Sequence, residues 1–308
     1  MVAIIITIAA ILLVLFLAVF FLIRSFVTKT NYEPYTTEYV RAADVMTNRN
    51  VKNILLIGSD ERSAGDTKRS DAIILLSINE KKKKIVMTSF LRDSYVQIPG
   101  YGQQRINHSY QMGGPALLIQ TIEENFKIGI DSYIKVDFFS FIDIIDCLGG
   151  IEIDVDADEL NYVNLYVNEI NTILGAPVGE QFLTESGVQT LNGRQALGYS
   201  RIRYIGSDFQ RTERQREVLT AIFQKAKHLN LSNMGELITE VVPDLTTNIN
   251  DNKMTLMIMK AVLYLGYDIV QFRVPMDGTW SDFNANGQEV LSIDFDANIN
   301  GLRQTIYE

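Results

Sequence analysis

Cysteine and histidine are scarce in this sequence of 308 residues, which contains one cysteine and two histidines. A single cysteine excludes a disulfide within the chain, and Cys147 falls in an apolar run, so we expect a buried free thiol. Zinc sites usually combine several histidine and cysteine side chains, so the sequence argues against a zinc enzyme. His108 has no second histidine near it in sequence, and we expect it to form a structural hydrogen bond.

Positive charge is also in deficit. The chain has 28 Lys and Arg against 37 Asp and Glu, a net charge of -9. Nucleic-acid-binding proteins usually present a basic face, so this balance argues against a nucleic-acid partner. A site for an anion must therefore be a local cluster of arginines. Hydrophobic residues make up 47% of the chain, which excludes a disordered protein.

Charge, proline and glycine are absent from residues 2–23. A membrane-spanning helix needs about 20 apolar residues, whereas the apolar core of a cleaved signal peptide has only about 7–15. The run is apolar on all sides, which disfavours a buried core helix as the alternative. The sequence therefore predicts a transmembrane anchor over residues 1–27, a polar tether over 28–50 and one globular domain over 51–308.

The rest of the sequence alternates between strand and helix patterns. Short Ile-, Leu- and Val-rich runs at 52–58, 72–78 and 85–91 predict strands that are buried on both faces of a sheet. Lys81 to Lys84 lie between two of these runs, and we expect a solvated hairpin tip, with contact to an anionic lipid or glycan as the alternative. Further strands are predicted at 151–155 and 269–274, and helices at 115–127, 138–148, 208–229 and 252–265. Interleaved strands and helices indicate a layered α/β domain with a mixed sheet.

The ends of the first three strands carry charged residues. Antiparallel pairing of the first two strands, with a hairpin to the third, would bring these residues to one edge of the sheet. Ligands of α/β proteins commonly bind at such an edge. The residues are Asp60, Arg69, Asp71, Arg92 and Asp93.

A second charged cluster lies between residues 199 and 215. Residues 199–204 alternate as in a strand, so Arg201 and Arg203 would point to the same side. Ser207 is a plausible cap of the helix that follows, and Arg211 and Gln215 share one face of it. Helix N-termini favour anions, and arginine forks match phosphate oxygens. The cluster comprises Arg201, Arg203, Asp208, Arg211, Arg214 and Gln215.

Each of these residues also has an ordinary structural explanation. Arg211 and Arg214 could pair with Glu213 and Glu217 on an exposed helix, and Asp60 could be a turn residue. The convergence of many charges is costly, however, unless they meet a ligand of opposite charge. A polyanion with a divalent cation satisfies both signs, and oxygen ligands favour Mg²⁺ or Mn²⁺.

Several motifs, in this order along the chain, resemble those of the LytR-CpsA-Psr family. Where that family usually has Ile-Pro, this chain has Phe90-Leu91, and where it usually has Lys, this chain has Arg105; neither change removes an acid or a phosphate-binding arginine. The motifs are Gly58-Ser59-Asp60, Arg69-Ser70-Asp71, Ser89-Phe90-Leu91-Arg92-Asp93, Arg105-Ile106-Asn107-His108, Arg201-Ile202-Arg203, and Asp208-Phe209 with Arg211, Arg214 and Gln215.

This resemblance implies a fold and a function. The fold would be a three-layer αβα sandwich around a central mixed sheet, with an apolar pocket for a polyprenyl chain. The function would be transfer of a teichoic acid or capsular polysaccharide from a polyprenyl-pyrophosphate carrier to peptidoglycan. The positive-inside rule would place Arg24 and Lys29 in the cytoplasm. Members of the family are instead single-pass membrane proteins whose domain lies outside the cell. The resemblance therefore implies an extracellular domain in a bacterial, Gram-positive envelope, and we give it more weight than the charge rule.

The resemblance also suggests roles for the charged residues. Asp60 and Asp71 would hold Mg²⁺, with Mn²⁺ as an alternative, and Asp60 or Asp93 would accept the proton of the attacking hydroxyl. Asp60, Arg92, Asp93 and Arg203 would be catalytic. The pyrophosphate would be bound by Arg69, Arg92, Arg201, Arg203, Arg211 and Gln215, with Asp208, Arg214 and Asn107 in support. Apolar residues that could line the lipid pocket or belong to the ordinary core are Ile119, Ile122, Phe126, Phe138, Phe139, Phe141, Ile142 and Ile145.

Three other functions use some of the same features. A non-enzymatic carrier or sensor of polyprenyl pyrophosphates would need the arginines and the pocket but not the metal-binding aspartates. A pyrophosphatase would use the same site with water as the acceptor. A DNA-binding regulator conflicts with the predicted anchor and with the net charge.

Overall fold

A computed structural model describes residues 20–28, 30–35, 39–59, 70–203, 205, 207–229, 235–285 and 287–308. Residues 20–27 are helical, and most of the predicted anchor lies outside the described residues. Within the described ranges, no helix combines the length and the apolar character that crossing a membrane requires.

The described chain alternates strands and helices as the sequence predicts. The strands are β1 (Asn31–Tyr32), β2 (Val51–Ser59), β3 (Ser70–Asn79), β4 (Lys84–Phe90), β5 (Tyr95–Ile98), β6 (Gly102–Arg105), β7 (Ser132–Val136), β8 (Ile151–Val155), β9 (Gly187–Leu191), β10 (Thr246–Thr247), β11 (Asp268–Val274), β12 (Trp280–Ala285) and β13 (Gln288–Ile293). The helices are α1 (Ile106–Phe126), α2 (Phe138–Cys147), α3 (Ala157–Leu174), α4 (Gly193–Ser200), α5 (Asp208–Ala226), α6 (Asp251–Tyr264) and α7 (Phe295–Ile306).

Seven strands form a mixed central sheet in the order β1-β10-β7-β2-β3-β4-β11. β2 pairs antiparallel with β3, and β3 pairs antiparallel with β4. β7 is parallel to β2, and β11 is parallel to β4. The carboxyl ends of β2, β4, β7 and β11 therefore meet the amino end of β3 at one edge of the sheet, which confirms the predicted arrangement of the first three strands.

Helices cover the sheet on both faces. On one face, Leu55 and Leu75 pack with Ile119 of α1 and Leu302 of α7 in the largest core cluster of the described residues. On the other face, Ile54, Ile78 and Ile85 pack with Phe223 of α5 and Met257 of α6. Full burial of one such side chain is worth about 1.5–3 kcal/mol, so each face is held mainly by the hydrophobic effect.

A second cluster of buried residues joins α2, α3, α4 and the antiparallel pair β8–β9. Residues 151–155 alternate between buried and exposed, as predicted for a strand with one solvated face. Gly193 begins α4 against α2, where a Cβ atom would collide with the carbonyl oxygen of Ile142. Only glycine allows this close approach, which places α4 beside α2 and next to the carboxyl edge of the sheet.

Part of the predicted tether packs on the domain. β1 pairs with β10 and adds a strand to the sheet. Tyr39 donates a hydrogen bond to Glu123 at 2.9 Å, and Arg41 forms an ion pair with the same carboxylate at 3.3 Å. Glu123 is fully buried in α1, so the segment that supplies these partners is needed to satisfy its charge.

Candidate functional site

Arg92 and Asp93 follow β4 at the carboxyl edge of the sheet. The neighbouring strand fixes this point, because the Leu91 amide donates to the carbonyl of Val274 at 2.9 Å. The Nε atom of Arg92 lies 3.3 Å from Oδ1 of Asp208 and 3.5 Å from Oδ2 of Asp93. An ion pair between Arg92 and Asp208 thus connects the end of β4 to the start of α5.

The first turn of α5 supplies the other half of this cluster. Ser207 caps the helix in a capping box with Gln210, as the sequence predicted for the cap. Oδ1 of Asp208 lies 2.6 Å from Nη2 of Arg211, whose side chain is only 1% exposed. Burial raises the pKa of Asp208 above its ordinary value, although the Arg211 and Arg92 guanidinium groups act in the opposite direction. The Asp208 carboxylate therefore orients the guanidinium groups of Arg92 and Arg211 in an environment that is largely shielded from water.

Arg105 extends the cluster on the far side of Asp93. Its Nη1 atom lies 3.3 Å from Oδ1 of Asp93. Asn107, in the first turn of α1, is buried, and its Oδ1 has no hydrogen-bond partner among the described residues. The sequence had marked Arg105 only as a motif position. Its place beside Asp93 depends on the β5–β6 hairpin, which folds the chain back by pairing Tyr95 with Arg105.

Arg201 belongs to a different part of the site. Its guanidinium lies over the rings of Phe138 and Tyr166, at 4.7 and 4.9 Å from their centroids. Its Nη2 is 3.3 Å from Oε1 of Glu169. The Nη1 atom is buried and has no hydrogen-bond partner within the described part of the chain. A buried donor without a partner is costly, so this nitrogen is suited to an anionic ligand.

The prediction of an extended segment over residues 199–204 was wrong at residues 199–201, and residue 204 lies outside the described residues. α4 ends at Ser200, and Arg201 caps it in a helical conformation. Arg201 is half-buried, whereas Arg203 is exposed. The short helix is held by a capping box in which Asn192 and Gln195 satisfy each other's backbone amides, a local signal stronger than the alternation. Arg203 still acts electrostatically on Asp208, whose pKa it lowers.

Arg214 faces the interior of the domain and is not part of the arginine cluster, which consists of Arg92, Arg105 and Arg211. It is 8% exposed. Its Nε lies 2.6 Å from Oε1 of Glu159 on α3, and its Nη1 donates to the carbonyl oxygen of Ile202 at 3.4 Å. This pair connects α5 to the second buried cluster, so the structure gives Arg214 a role in packing.

We expect Arg214→Leu to lower the free energy of unfolding by about 3–5 kcal/mol, because Glu159 would remain buried without its partner. The double variant Arg214→Leu with Glu159→Leu should recover most of this loss, since well-packed apolar side chains can replace a buried ion pair. Urea unfolding of the wild type, both single variants and the double variant measures the coupling. Additive effects of the two substitutions would contradict the assignment.

Three predicted site residues cannot be placed. Asp60 and Arg69 lie outside the described residues, and the side chain of Asp71 is likewise not described. The described residues contain no group of three or more acidic, histidine or cysteine side chains that could hold a metal ion. The Mg²⁺ site at Asp60 and Asp71 therefore remains a prediction.

An apolar cavity of about 300 Å³ has Arg201 in its wall. It lies between the sheet and the helices α2, α4 and α5. Its polar lining residues are Ser59, Asp137, Ser200, Arg201 and Gln215. Ser59 and Asp137 stand at the carboxyl ends of β2 and β7, so the polar end of the cavity is at the edge that carries Arg92. The apolar lining includes Leu56, Ala72, Ile74, Ile134, Val136, Phe138, Phe141, Ile144, Leu219 and Ile222.

Some of the eight pocket candidates line this cavity and others do not. Phe138 and Phe141 line it. Phe139 is 41% exposed and points away. The remaining candidates, Ile119, Ile122, Phe126, Ile142 and Ile145, are core residues. The sheet residues that line the cavity were not predicted, because a strand buried on both faces does not reveal which face borders a cavity.

A larger cavity, of about 620 Å³, opens at the opposite edge of the sheet. Lysines and tyrosines line part of it, among them Lys52, Lys260 and Tyr264. None of the predicted site residues lines this cavity. Of these two cavities, the smaller one therefore combines apolar walls with a predicted phosphate-binding arginine, Arg201.

Comparison with known proteins gives consistent matches. The model of the LytR_cpsA_psr family matches residues 19–300. The polyisoprenyl-teichoic acid–peptidoglycan teichoic acid transferase TagU of Oceanobacillus iheyensis is 37% identical over 211 residues, which is 66% of this chain and 60% of that protein. TagU of Enterococcus faecalis is 33% identical over 255 residues, 79% of this chain and 78% of that protein. The match thus spans less than two thirds of the Oceanobacillus relative.

Among solved structures, TagT bound to LI-WTA is similar to this chain with a TM-score of 0.69 and 25% sequence identity. The similarity covers 89% of this chain and 98% of TagT. A mixed sheet with helices on its faces is therefore the fold of this chain and of that solved structure.

Proposed function

Because the chain belongs to the LytR_cpsA_psr family, we propose that it transfers a glycopolymer from a polyprenyl-pyrophosphate carrier to peptidoglycan. The glycopolymer would be of the teichoic acid type, with a capsular polysaccharide as the alternative. The observation that carries the proposal is the apolar cavity whose polar end holds Arg201, at the sheet edge that also carries Arg92. A lipid diphosphate matches this arrangement, because it joins an apolar chain to a compact polyanion.

The donor would span the apolar part of the cavity and its polar end. Its polyprenyl chain would lie between the sheet and α5, near Leu56 and Ile222, where the walls are apolar. The diphosphate would meet the buried Nη1 of Arg201 at the cavity end, with Gln215 as an additional donor. Arg92 and Arg211 lie at the same edge and would neutralise the remaining charge through bidentate contacts.

The reaction would be a displacement at phosphorus. A sugar hydroxyl of peptidoglycan attacks the phosphorus that is nearer the glycan. A new P–O bond to the acceptor forms, the P–O bond to the bridging oxygen breaks, and polyprenyl phosphate leaves. The hydroxyl proton passes to a carboxylate, Asp93 or Asp60. Asp93 is placed for this role by Arg92 and Arg105, which hold its two oxygens.

Catalysis would come mainly from positioning and charge neutralisation. Asp208 touches both Arg92 and Arg211 and fixes the direction of their N–H groups before the donor arrives. This preorganisation is worth most where water is excluded, as around the buried Arg211. Asp208 is therefore a positioning residue in this proposal.

A divalent cation would fit Asp60, which follows β2 in sequence, and Asp71, at the start of β3. Ser59 pairs with Ser70 across these strands, and Asp60 and Asp71 follow the two serines in sequence. Carboxylate oxygens are the ligands that Mg²⁺ prefers. Bound there, Mg²⁺ would reduce the negative charge that the diphosphate gains during transfer.

The activity can be tested with the full chain in detergent, a lipid-linked glycopolymer and uncrosslinked peptidoglycan. We expect a product in which the glycopolymer is covalently bound to peptidoglycan, and loss of that product with EDTA and with Asp71→Ala. Release of phosphate without a glycan product would identify a pyrophosphatase. Saturable donor binding without turnover, under conditions that include Mg²⁺, would identify a binding protein and contradict the transferase.

Residues 20–27 support the proposed membrane location. This short helix continues the uncharged run of residues 2–23, and its Ile23 and Val27 pack with Met254 of α6. Leu256 and Leu263 of the same helix are 45% and 67% exposed. Apolar side chains exposed beside an anchor are suited to a membrane surface. We place the domain on the outer side of a single-pass anchor in a Gram-positive envelope.

A further inference from the structure

The β12–β13 hairpin is attached to the candidate site. The backbone amide of Leu291 donates to the carbonyl oxygen of Asp93 at 3.0 Å, and Ser94 forms a parallel bridge with Leu291. Arg105, which is paired with Asp93, donates from Nη2 to the carbonyl oxygen of Glu289 at 2.6 Å. The position of the hairpin is therefore fixed relative to the carboxylate that we place in the proton transfer.

Trp280, at the start of this hairpin, reaches the helix that carries Asp208. Its ring lies on Phe209, with ring centroids 4.7 Å apart and planes inclined by 30°. Phe209 directly follows Asp208, which contacts Arg92. The guanidinium of Arg273 lies 4.5 Å from the centroid of Phe209. Two aromatic rings and a cation thus form a shelf one residue away from the arginine cluster.

This aromatic shelf (Phe209 and Trp280) does not serve the hydrophobic core. Neither ring packs on any of the core clusters formed by the described residues, and both rings are partly accessible to solvent. On the same hairpin, Phe283 is 49% exposed beside Tyr95. Accessible aromatic surface beside a reaction centre is typical of a binding surface.

Building on the proposed transferase function, we propose that the aromatic shelf binds a pyranose ring of the acceptor glycan. A pyranose presents an apolar face of C–H groups, which packs on an aromatic ring, and a rim of hydroxyl groups. Arg273 lies over the Phe209 ring and pairs with the exposed Asp277. The exposed Asp282 follows Trp280 by two positions on β12. These charged groups would offer partners to the hydroxyls. The next sugar along the strand would then present its hydroxyl to the phosphorus.

The two sides of α5 separate the acceptor from the donor. Gln215 and Ile222 face the apolar cavity, which is walled by β2, β3 and β7. Arg216 faces β11 instead, with its Nε 3.3 Å from Oε1 of Gln271. Phe209 is on this second side, since it contacts Arg273 of β11. In this proposal, the lipid donor therefore binds on one side of α5, and the acceptor sugar binds to the shelf on the other side.

Trp280 is the only tryptophan in the sequence, so tryptophan fluorescence, excited at a wavelength that the tyrosines do not absorb, reports on the shelf. We would titrate the full chain in detergent with a tetrasaccharide of alternating N-acetylglucosamine and N-acetylmuramic acid. We expect a saturable change in tryptophan emission, and none with maltotetraose at the same concentrations. No change with the first sugar, or equal changes with both, would overturn the proposal.

Kinetics distinguish the acceptor from the donor glycan. Trp280→Ala should raise KM for the acceptor about tenfold, which corresponds to one stacking contact. Trp280→Phe should retain most of the acceptor affinity, and KM for the lipid-linked donor should stay unchanged in both variants. Tyr101→Ala removes an aromatic side chain that is 52% exposed away from the shelf and serves as the matched control.

The outcomes separate this subsite from the proposed function. If Trp280→Ala catalyses transfer with an unchanged KM for the acceptor, or with a raised KM for the donor only, the acceptor subsite is wrong. The proposed transferase function is not affected by either result. Saturable fluorescence binding in a chain that catalyses no transfer supports the subsite, while it removes the proposed reaction.

Discussion

Replacing Arg92 by alanine is expected to lower kcat for glycopolymer transfer by about 10²–10³, the usual cost of losing one donor to a developing negative charge. Arg92 stands at the end of β4, in contact with both Asp93 and Asp208, so its loss removes a phosphate donor and disturbs the group that would take the proton. The fold should survive, because the side chain is 23% exposed. Single-turnover transfer and urea unfolding measure the two quantities.

Two variants control for the charge of Arg92 and for the loss of an arginine outside the cluster. Arg92→Lys keeps the charge but not the planar fork, and we expect it to recover only part of the rate. Arg194→Ala removes an arginine that pairs with Glu180 at 3.0 Å outside the cluster, and it should leave kcat unchanged. Full transfer activity in Arg92→Ala would remove Arg92 from the mechanism.

Filling the apolar cavity should prevent donor binding. Leu219 lies on the α5 wall of the cavity, and an indole at this position would occupy space that the polyprenyl chain requires. We expect Leu219→Trp to raise KM for the donor at least about tenfold, a loss of about 1.4 kcal/mol, with a stability cost of about 1–3 kcal/mol from overpacking. Donor binding can be followed with a fluorescent polyprenyl diphosphate.

The matched control for this substitution is Leu165→Trp. Leu165 is 52% exposed on α3, so an indole there adds the same side chain without entering the cavity. Its donor KM should equal that of the wild type. An unchanged donor KM in Leu219→Trp would mean that the lipid chain lies elsewhere, even if the arginine cluster binds the diphosphate.

The parts of the site that depend on strand ends were predictable from the sequence. The runs that became β2, β3 and β4 were continuous and apolar, and antiparallel pairing of consecutive strands leaves little choice of arrangement. Arg92 and Asp93 therefore had to stand at the edge that follows Ser59. The capped start of α5 was equally accessible, because Ser207 and Gln210 form a local sequence signal.

The rest depends on contacts between residues that are distant in sequence. Arg214 looked like a partner for an anion or for a nearby glutamate, but it pairs with Glu159, 55 positions away. The alternation around Arg201 and Arg203 predicts an extended segment from residue 199, whereas α4 continues to Ser200. The capping box of Asn192 and Gln195 is the local sequence signal that favours the helix. The aromatic shelf joins residues 209 and 280, and no local pattern predicts that contact.

The most direct test of the whole account is a structure of the chain with a polyprenyl diphosphate bound. The account predicts that the polyprenyl chain lies between Leu56 and Ile222. It also predicts that the diphosphate oxygens accept hydrogen bonds from Arg92 and Arg201 at the carboxyl edge of the sheet. A lipid bound on another surface, with no phosphate oxygen in contact with either arginine, would contradict it.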